Sequence, residues 1–117
     1  MKVEIKRAYD DLGETQGYRV LVDRVWPRGI KKEELRLDEW AHTLAPSTEL
    51  RKWFGHDPAR WESFRARYLD ELKSSEEELA RLRGIACRQP LILLYSARDE
   101  THNQAVVIRA ALLAKTS

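Results

Sequence analysis

Asp23, Arg24 and Arg28 stand within the run RVLVDRVWPRG, residues 19–29, with Trp26 and Pro27 between them. A carboxylate next to two guanidiniums has two readings. It can form an Asp–Arg ion pair that pins a loop and leaves Arg28 in solvent. Alternatively, the guanidiniums form an anion pocket, because their planar forked donors match carboxylate and phosphate. Asp23 then serves as a general acid/base or orients the arginines. Trp26 and Pro27 stiffen the loop in either case.

Two further stretches hold groups of the same kind. In STELRKWFGHDP, Ser47 or Thr48 caps a helix, and that helix start can hold an anion through its free N–H groups and macrodipole. Arg51 lies one turn on. His56–Asp57 reads either as a base with its orienting carboxylate or as a histidine before an N-cap, while Trp53 and Phe54 belong to core or pocket wall. In YSARDETHN, Tyr95 and Ser96 end an apolar run, and Arg98, Asp99 and His102 follow. Tyr95 and Arg98 are candidate ligand contacts, with His102 as a pocket donor and a second catalytic candidate beside Asp23. A Ser96–Asp99–His102 hydrolase lacks the G-x-S-x-G elbow, and groups this close in sequence rarely form that geometry. Asp99 or Thr101 as cap of the last helix is the simpler role.

The histidines His42, His56 and His102 show no metal-ligand spacing and no cysteine partner, so no metal is expected. There is no GxGxxG and no Walker loop, so no nucleotide cofactor is expected. The single cysteine, Cys87, excludes an intrachain disulfide and reads as a small buried hydrophobe.

The elements that must position these residues follow from periodicity. VEIKRAY alternates as a half-exposed strand, and the turn formers of DDLGETQG lead into YRVLVDRV. A β-hairpin with strands near 2–8 and 18–25 is expected. Lys32–Leu35 suits a short helical turn. WAHTLAP fits helix or strand spacing and is read as a strand stopped by Pro46. STELRKWFG is a short helix ended by Gly55. HDPARWESFRARYLDELK is a longer one, with Asp57 as N-cap, Pro58 in the first helical position and an inward stripe of Trp61, Phe64, Tyr68, Leu69 and Leu72. SSEEELARLRG is a third helix, with a Ser75–Glu78 capping box and a stop at Gly84. PLILLYS is a strand buried on both faces, and QAVVIRAALLAK closes the chain as a helix with Ala105, Ile108, Ala111 and Leu112 inward.

This order predicts one α/β domain spanning 1–117: a small, mostly parallel sheet with an antiparallel edge strand and helices packed on it. Ligands of such sheets bind beyond the carboxyl ends of the strands, where the three stretches above should gather. A chain of 117 residues with 21 Lys and Arg against 19 Asp and Glu, net charge +2, does not carry the overall basic excess of a nucleic-acid binder. No run has signal-peptide or membrane-span length, so a reduced, cytoplasmic, soluble protein is expected.

The stretches RVLVDRVWPRG, LAPSTELRKWFGHDPARWESFRARYLDEL and LILLYSARDETHNQAVVI resemble the bacterial family called domain of unknown function 488, in its short, YeaO-like form. They cover about two-thirds of the chain. The resemblance implies an α/β fold and no established activity. Longer relatives carry a cysteine and a histidine after the last strand. Here those places hold Tyr95 and His102–Asn103, so no thiol mechanism carries over.

Two functions fit. One is a pocket at the strand ends that binds or acts on a small anionic, phosphate-bearing metabolite. Asp23 and His102 would be its catalytic groups, with Arg24, Arg28, Ser47, Arg51, Tyr95 and Arg98 as ligand contacts. The other is a non-catalytic module for a protein or nucleic-acid partner, since arginine and aromatic residues also build binding hot spots. Oligomeric state is left open by the sequence.

Overall fold

The structure, a computed structural model, describes residues 1–114. The expected end of the last helix at Lys115, and the final residues of the expected domain, lie outside them.

Four strands form one sheet: β1 (Val3–Arg7), β2 (Tyr18–Leu21), β3 (Glu39–Trp40) and β4 (Leu91–Tyr95), in the order β1-β4-β2-β3. Every pairing is parallel. The expected hairpin and antiparallel edge strand are therefore corrected. β1 does not meet β2, because β4 lies between them, pairing Val3 with Leu91 on one side and Tyr18 with Leu91 on the other. The physical reason is burial. All five residues of β4 are buried, whereas most of β1 is partly exposed. The wholly apolar strand takes the centre and the amphipathic ones flank it.

The chain from β1 to β2 crosses the sheet through a 3₁₀ turn at Ala8–Asp10 and a loop held by a buried ion pair. Arg19 Nη1 donates to Asp11 Oδ2 at 3.3 Å, and Nη2 donates to the carbonyls of Asp11 at 2.7 Å and Leu35 at 2.9 Å. Arg19 Nη1 also reaches the Thr15 carbonyl at 3.2 Å. Gly17 permits the loop's last step: its φ is +145°, and a Cβ there would lie 2.5 Å from the Pro90 carbonyl oxygen.

Strand alternation divides the core. Leu91, Leu93 and Tyr95 face a large apolar cluster with Val20, Val22 and the longer helices, while Ile92 and Leu94 join Leu21, Ile30 and Leu35 on the other face. The second face is covered by α1 (Lys32–Leu35) and its flanking loops.

The first face carries α2 (Thr48–Phe54), α3 (Trp61–Leu72), α4 (Glu76–Ala86) and α5 (Gln104–Leu113). On α3 the stripe turns inward: Phe64, Tyr68 and Leu72 are buried, with Trp61 and Leu69 packed against the core. Tyr68 donates its hydroxyl to the Leu44 carbonyl, tying α3 to the segment after β3. On α5, Ala105, Ile108 and Leu112 are buried and Ala111 packs beside them.

Several local expectations are replaced. The strand at WAHTLAP shrinks to β3 and gives way to a 3₁₀ turn at His42–Leu44. Asp57 does cap, accepting from Ala59 N at 3.0 Å, but Pro58–Arg60 is a 3₁₀ turn before α3. Ser75 makes no capping bond and α4 runs through Gly84, which stays in the helix with open space where a Cβ would stand. Asn103 caps α5 in place of Asp99 or Thr101, accepting from Val106 N at 3.2 Å. Cys87 is exposed just past α4, since the last turn presents Ala86 to the core instead. No helix among the described residues is long and apolar enough to cross a membrane.

Candidate functional site

The loops after β2, β3 and β4 meet beyond the carboxyl edge of the sheet, the place where parallel α/β sheets bind ligands. They enclose a cavity of about 180 Å³. Asp23 and Arg24 reach it from the first loop, Arg51 and His56 from the second segment, and His102 and Gln104 from the third. Phe54 and Phe64 form an apolar wall, their rings stacked at 4.2 Å between centroids.

Asp23 follows β2 directly and is only 7% exposed. Trp40 Nε1 donates to its carbonyl at 2.7 Å, and Gln104 donates from Nε2 to its Oδ1. Its Oδ2 is buried without a hydrogen-bond partner. Burial pushes the Asp23 carboxyl above the usual range; the neighbouring Ser96 and Gln104 and the charge of His56 oppose this without reversing it. Ser96 stands beside the carboxyl but does not close a well-formed bond to Oδ2. Arg24 turns towards the second segment, donating from Nη2 to the carbonyls of Pro46 at 3.2 Å and Ala45 at 3.5 Å. It is thus not the ion-pair partner of Asp23.

His102 is oriented by Asp99. Nδ1 lies 2.9 Å from Asp99 Oδ2 and the ring packs edge-on against Trp61 at 5.2 Å. Three N–H and side-chain donors converge on Asp99: Thr101 N at 3.0 Å, Thr101 Oγ1 at 3.1 Å and His102 N at 3.0 Å. The Thr101 N–H first, then the His102 ring, hold its carboxyl at about 2. A carboxylate on Nδ1 fixes the proton there and leaves Nε2 as the working nitrogen. Ser96 lines the same cavity, yet it makes no hydrogen bond to His102, so the Ser–His–Asp chain is not closed.

Asp23, Arg24, Arg51 and His102 thus share one cavity, and the other candidates do not join them. Arg28 is carried away by its own loop. It is exposed, and its carbonyl accepts from the Tyr9 hydroxyl at 2.8 Å while Trp26 Nε1 closes the loop on the Ile30 carbonyl at 2.7 Å. Tyr95 is turned into the core by strand alternation. Arg98 is exposed outside the cavity.

Ser47 caps α2 as expected, with Oγ accepting from Leu50 N at 3.1 Å. Its own N–H and hydroxyl, however, donate to the two carboxylate oxygens of Glu71 at 2.9 and 2.6 Å. A resident carboxylate from α3 occupies the helix start that the sequence offers to a ligand, and Ser47 lines a separate shallow depression with Glu71. The His56–Asp57 pair does not form either, since Asp57 serves the 3₁₀ turn after it while His56 lines the cavity.

Sequence reasoning weighed His56 only as half of a pair with Asp57, and it missed Gln104 as a site residue. His56 carried a signal: it follows the helix stop Gly55, and both residues take a positive φ, +53° and +56°. That left-handed pair turns the chain back over the cavity. Gln104 carried none, because its role depends on α5 starting directly opposite the end of β2.

The chain is an open parallel α/β sheet whose carboxyl edge, where that fold class carries its ligand sites, is lined by basic and acidic groups. The chain belongs to the domain of unknown function 488 family: the family model described as "Inactive DUF488-N3 subclade" matches residues 2–117. It is 52% identical to the uncharacterized protein YeaO of Escherichia coli (strain K12) over 108 residues, 92% of this chain and 94% of YeaO. It is 39% identical to the uncharacterized protein Rv3073c of Mycobacterium tuberculosis (strain ATCC 25618 / H37Rv) over 111 residues, 95% of this chain and 93% of that protein. No solved structure matches it.

Proposed function

We propose that this domain binds a small anionic, phosphate-bearing ligand in the strand-end cavity and holds it without turning it over. The observation that carries the reading is the meeting of Arg24 and Arg51 in one cavity with neither guanidinium ion-paired to a carboxylate among the described residues. Both arginines are exposed, with Arg24 anchored on the Ala45 and Pro46 carbonyls, and two such groups at one cavity without a resident counter-ion favour an anion that brings one; forked donors suit phosphate. His56 and His102 line the same rim. A volume of about 180 Å³ is below the ~300–1,000 Å³ of pockets for drug-sized molecules, which restricts the ligand to a small metabolite. Binding without turnover is supported by the word "inactive" in the subclade's description and by His102 Nδ1 contacting Asp99 and Thr101, with no hydrogen bond to Ser96 among the described residues.

A second reading rests on surface character: Val25 is 62% exposed and Trp40 39% exposed beside Arg24, as in a site for a protein or a single strand. One experiment separates them. Thermal denaturation is followed with inorganic phosphate, glycerol 3-phosphate and a ten-nucleotide oligothymidine, with phosphate release measured in parallel. A ligand at about 100 times its Kd stabilises by about 2.7 kcal/mol. The proposal expects a shift of several degrees with the small anions and no phosphate released from the ester. A shift with the oligonucleotide alone favours the second reading.

A further inference from the structure

Among the described residues, the buried side-chain polar atom without a hydrogen-bond partner is Oδ2 of Asp23. Folded proteins leave few such atoms, and each calls for a specific cause. The partner of Oδ1 is fixed, since Gln104 bridges to it from α5. The Trp40 indole is committed to the Asp23 carbonyl, so it cannot serve Oδ2. Ser96 acts on the carboxyl through its N–H and hydroxyl, yet neither closes a well-formed bond to Oδ2. The side chain lines the cavity together with Arg24 and Arg51. A carboxylate in that position is costly to an anion site unless the incoming anion brings something for it.

We infer that the ligand presents an O–H donor as well as its anionic oxygens, and that Oδ2 of Asp23 accepts from that O–H. This deepens the reading given above and rests on it. Charge decides the donor's type. An ammonium would meet Arg24 and Arg51 in the same small space, whereas a hydroxyl adds a donor without adding a cation. The same carboxylate then selects by repulsion. An aprotic anion can satisfy the guanidiniums but sets its own lone pairs against Oδ2, the kind of mismatch by which binding sites reject a competitor. The O–H can come from a carbon hydroxyl of a phosphate monoester or from a protonated phosphate oxygen.

Titration calorimetry distinguishes these sources. The probes are sulfate, methyl phosphate and glycerol 3-phosphate at pH 8, where phosphate monoesters have lost their second proton (pKa about 6), with inorganic phosphate at pH 6 and pH 8. The expected result is that sulfate and methyl phosphate bind about ten-fold more weakly than a protic probe. If glycerol 3-phosphate alone binds tightly the donor is the carbon hydroxyl; if inorganic phosphate, which keeps a P–O–H at both pH values, binds as tightly, it is the phosphate's own. Asp23→Asn replaces the unpartnered oxygen by an amide donor of the same shape, so sulfate affinity should rise about ten-fold and the gap should close. Equal binding of sulfate and both protic probes, or a gap unchanged in Asp23→Asn, overturns the inference while leaving anion binding in place. If none of the anions binds, both the inference and the reading beneath it fall.

Discussion

Gln104 donates from Nε2 to Oδ1 of Asp23, joining the first residue of α5 to the loop after β2 across 81 positions of sequence. That single bridge draws the β2 and β4 loops together at the carboxyl edge, while Arg24 draws in the segment after β3 through Pro46. The cavity is therefore held by polar contacts on a rigid apolar sheet.

Asp23 gives a pH signature with a definite sign. Its folded-state carboxyl is raised above the ordinary 3.8, so its ionisation disfavours the fold: stability is greatest below 3.8 and falls as pH rises through the folded value. Asp23→Asn removes that fall. The variant should be more stable than the parent at pH 7, with the difference shrinking as pH falls towards 4. Urea midpoints measured between pH 4 and pH 7 check this. A variant less stable at pH 7 would show that the charged form is the favoured one.

Asp99 works in the opposite sense. Its carboxyl is lowered to about 2, so its contribution is present above 3.8 and disappears as pH falls through about 2. Asp99→Asn also frees the His102 ring from its Nδ1 contact. The variant should lack the loss of stability that the parent shows as pH falls from 3.8 towards 2. Urea midpoints of both proteins across that range check this, and identical pH profiles would contradict the pairing.

The first turn of α2 depends on Ser47 and Glu71. Ser47→Ala removes the cap and the hydroxyl bond to Glu71, a loss of about 1–2 kcal/mol. Glu71→Gln keeps the shape and weakens the charge-assisted bonds. A double-mutant cycle should give coupling between the two, and additive effects would mean that the Ser47–Glu71 contact does not stabilise the fold.

Phe64 is 2% exposed and stacks on Phe54 at 4.2 Å. Phe64→Ala should cost about 3–5 kcal/mol, because the aromatic leaves a cavity in a packed core. A denaturant midpoint unchanged by the substitution would place the ring at the surface.

The α3 stripe, the buried β4 and the Ser47, Asp57 and Gly55 helix ends were legible because each is a local signal: period, apolar run or cap. Sheet order was not. Alternation says that Val3–Arg7 and Tyr18–Leu21 are strands, but the turn formers between them look the same whether the chain folds back or crosses β4. Four of the eight candidate site residues, Asp23, Arg24, Arg51 and His102, share the cavity because they follow strand ends or sit one turn into the next helix. Arg28 and Tyr95 depended on orientation that sequence spacing does not carry: a loop closed by Trp26 and a strand residue facing the helices. Ser47 was read correctly as a cap, while its second partner, Glu71, lies 24 positions away and leaves no local trace.

The central claim is that Arg24 and Arg51 together hold an anion. Charge-assisted hydrogen bonds contribute about 1.5–3 kcal/mol each, so losing both guanidiniums removes at least a hundred-fold in affinity, about 2.7 kcal/mol. The direct measurement is calorimetric titration of the Arg24→Gln/Arg51→Gln protein and its parent with glycerol 3-phosphate and inorganic phosphate. The account predicts that the parent binds at least one of them and that the double variant, folded with an unchanged circular dichroism spectrum, binds neither. A folded double variant that binds as tightly as the parent would contradict it.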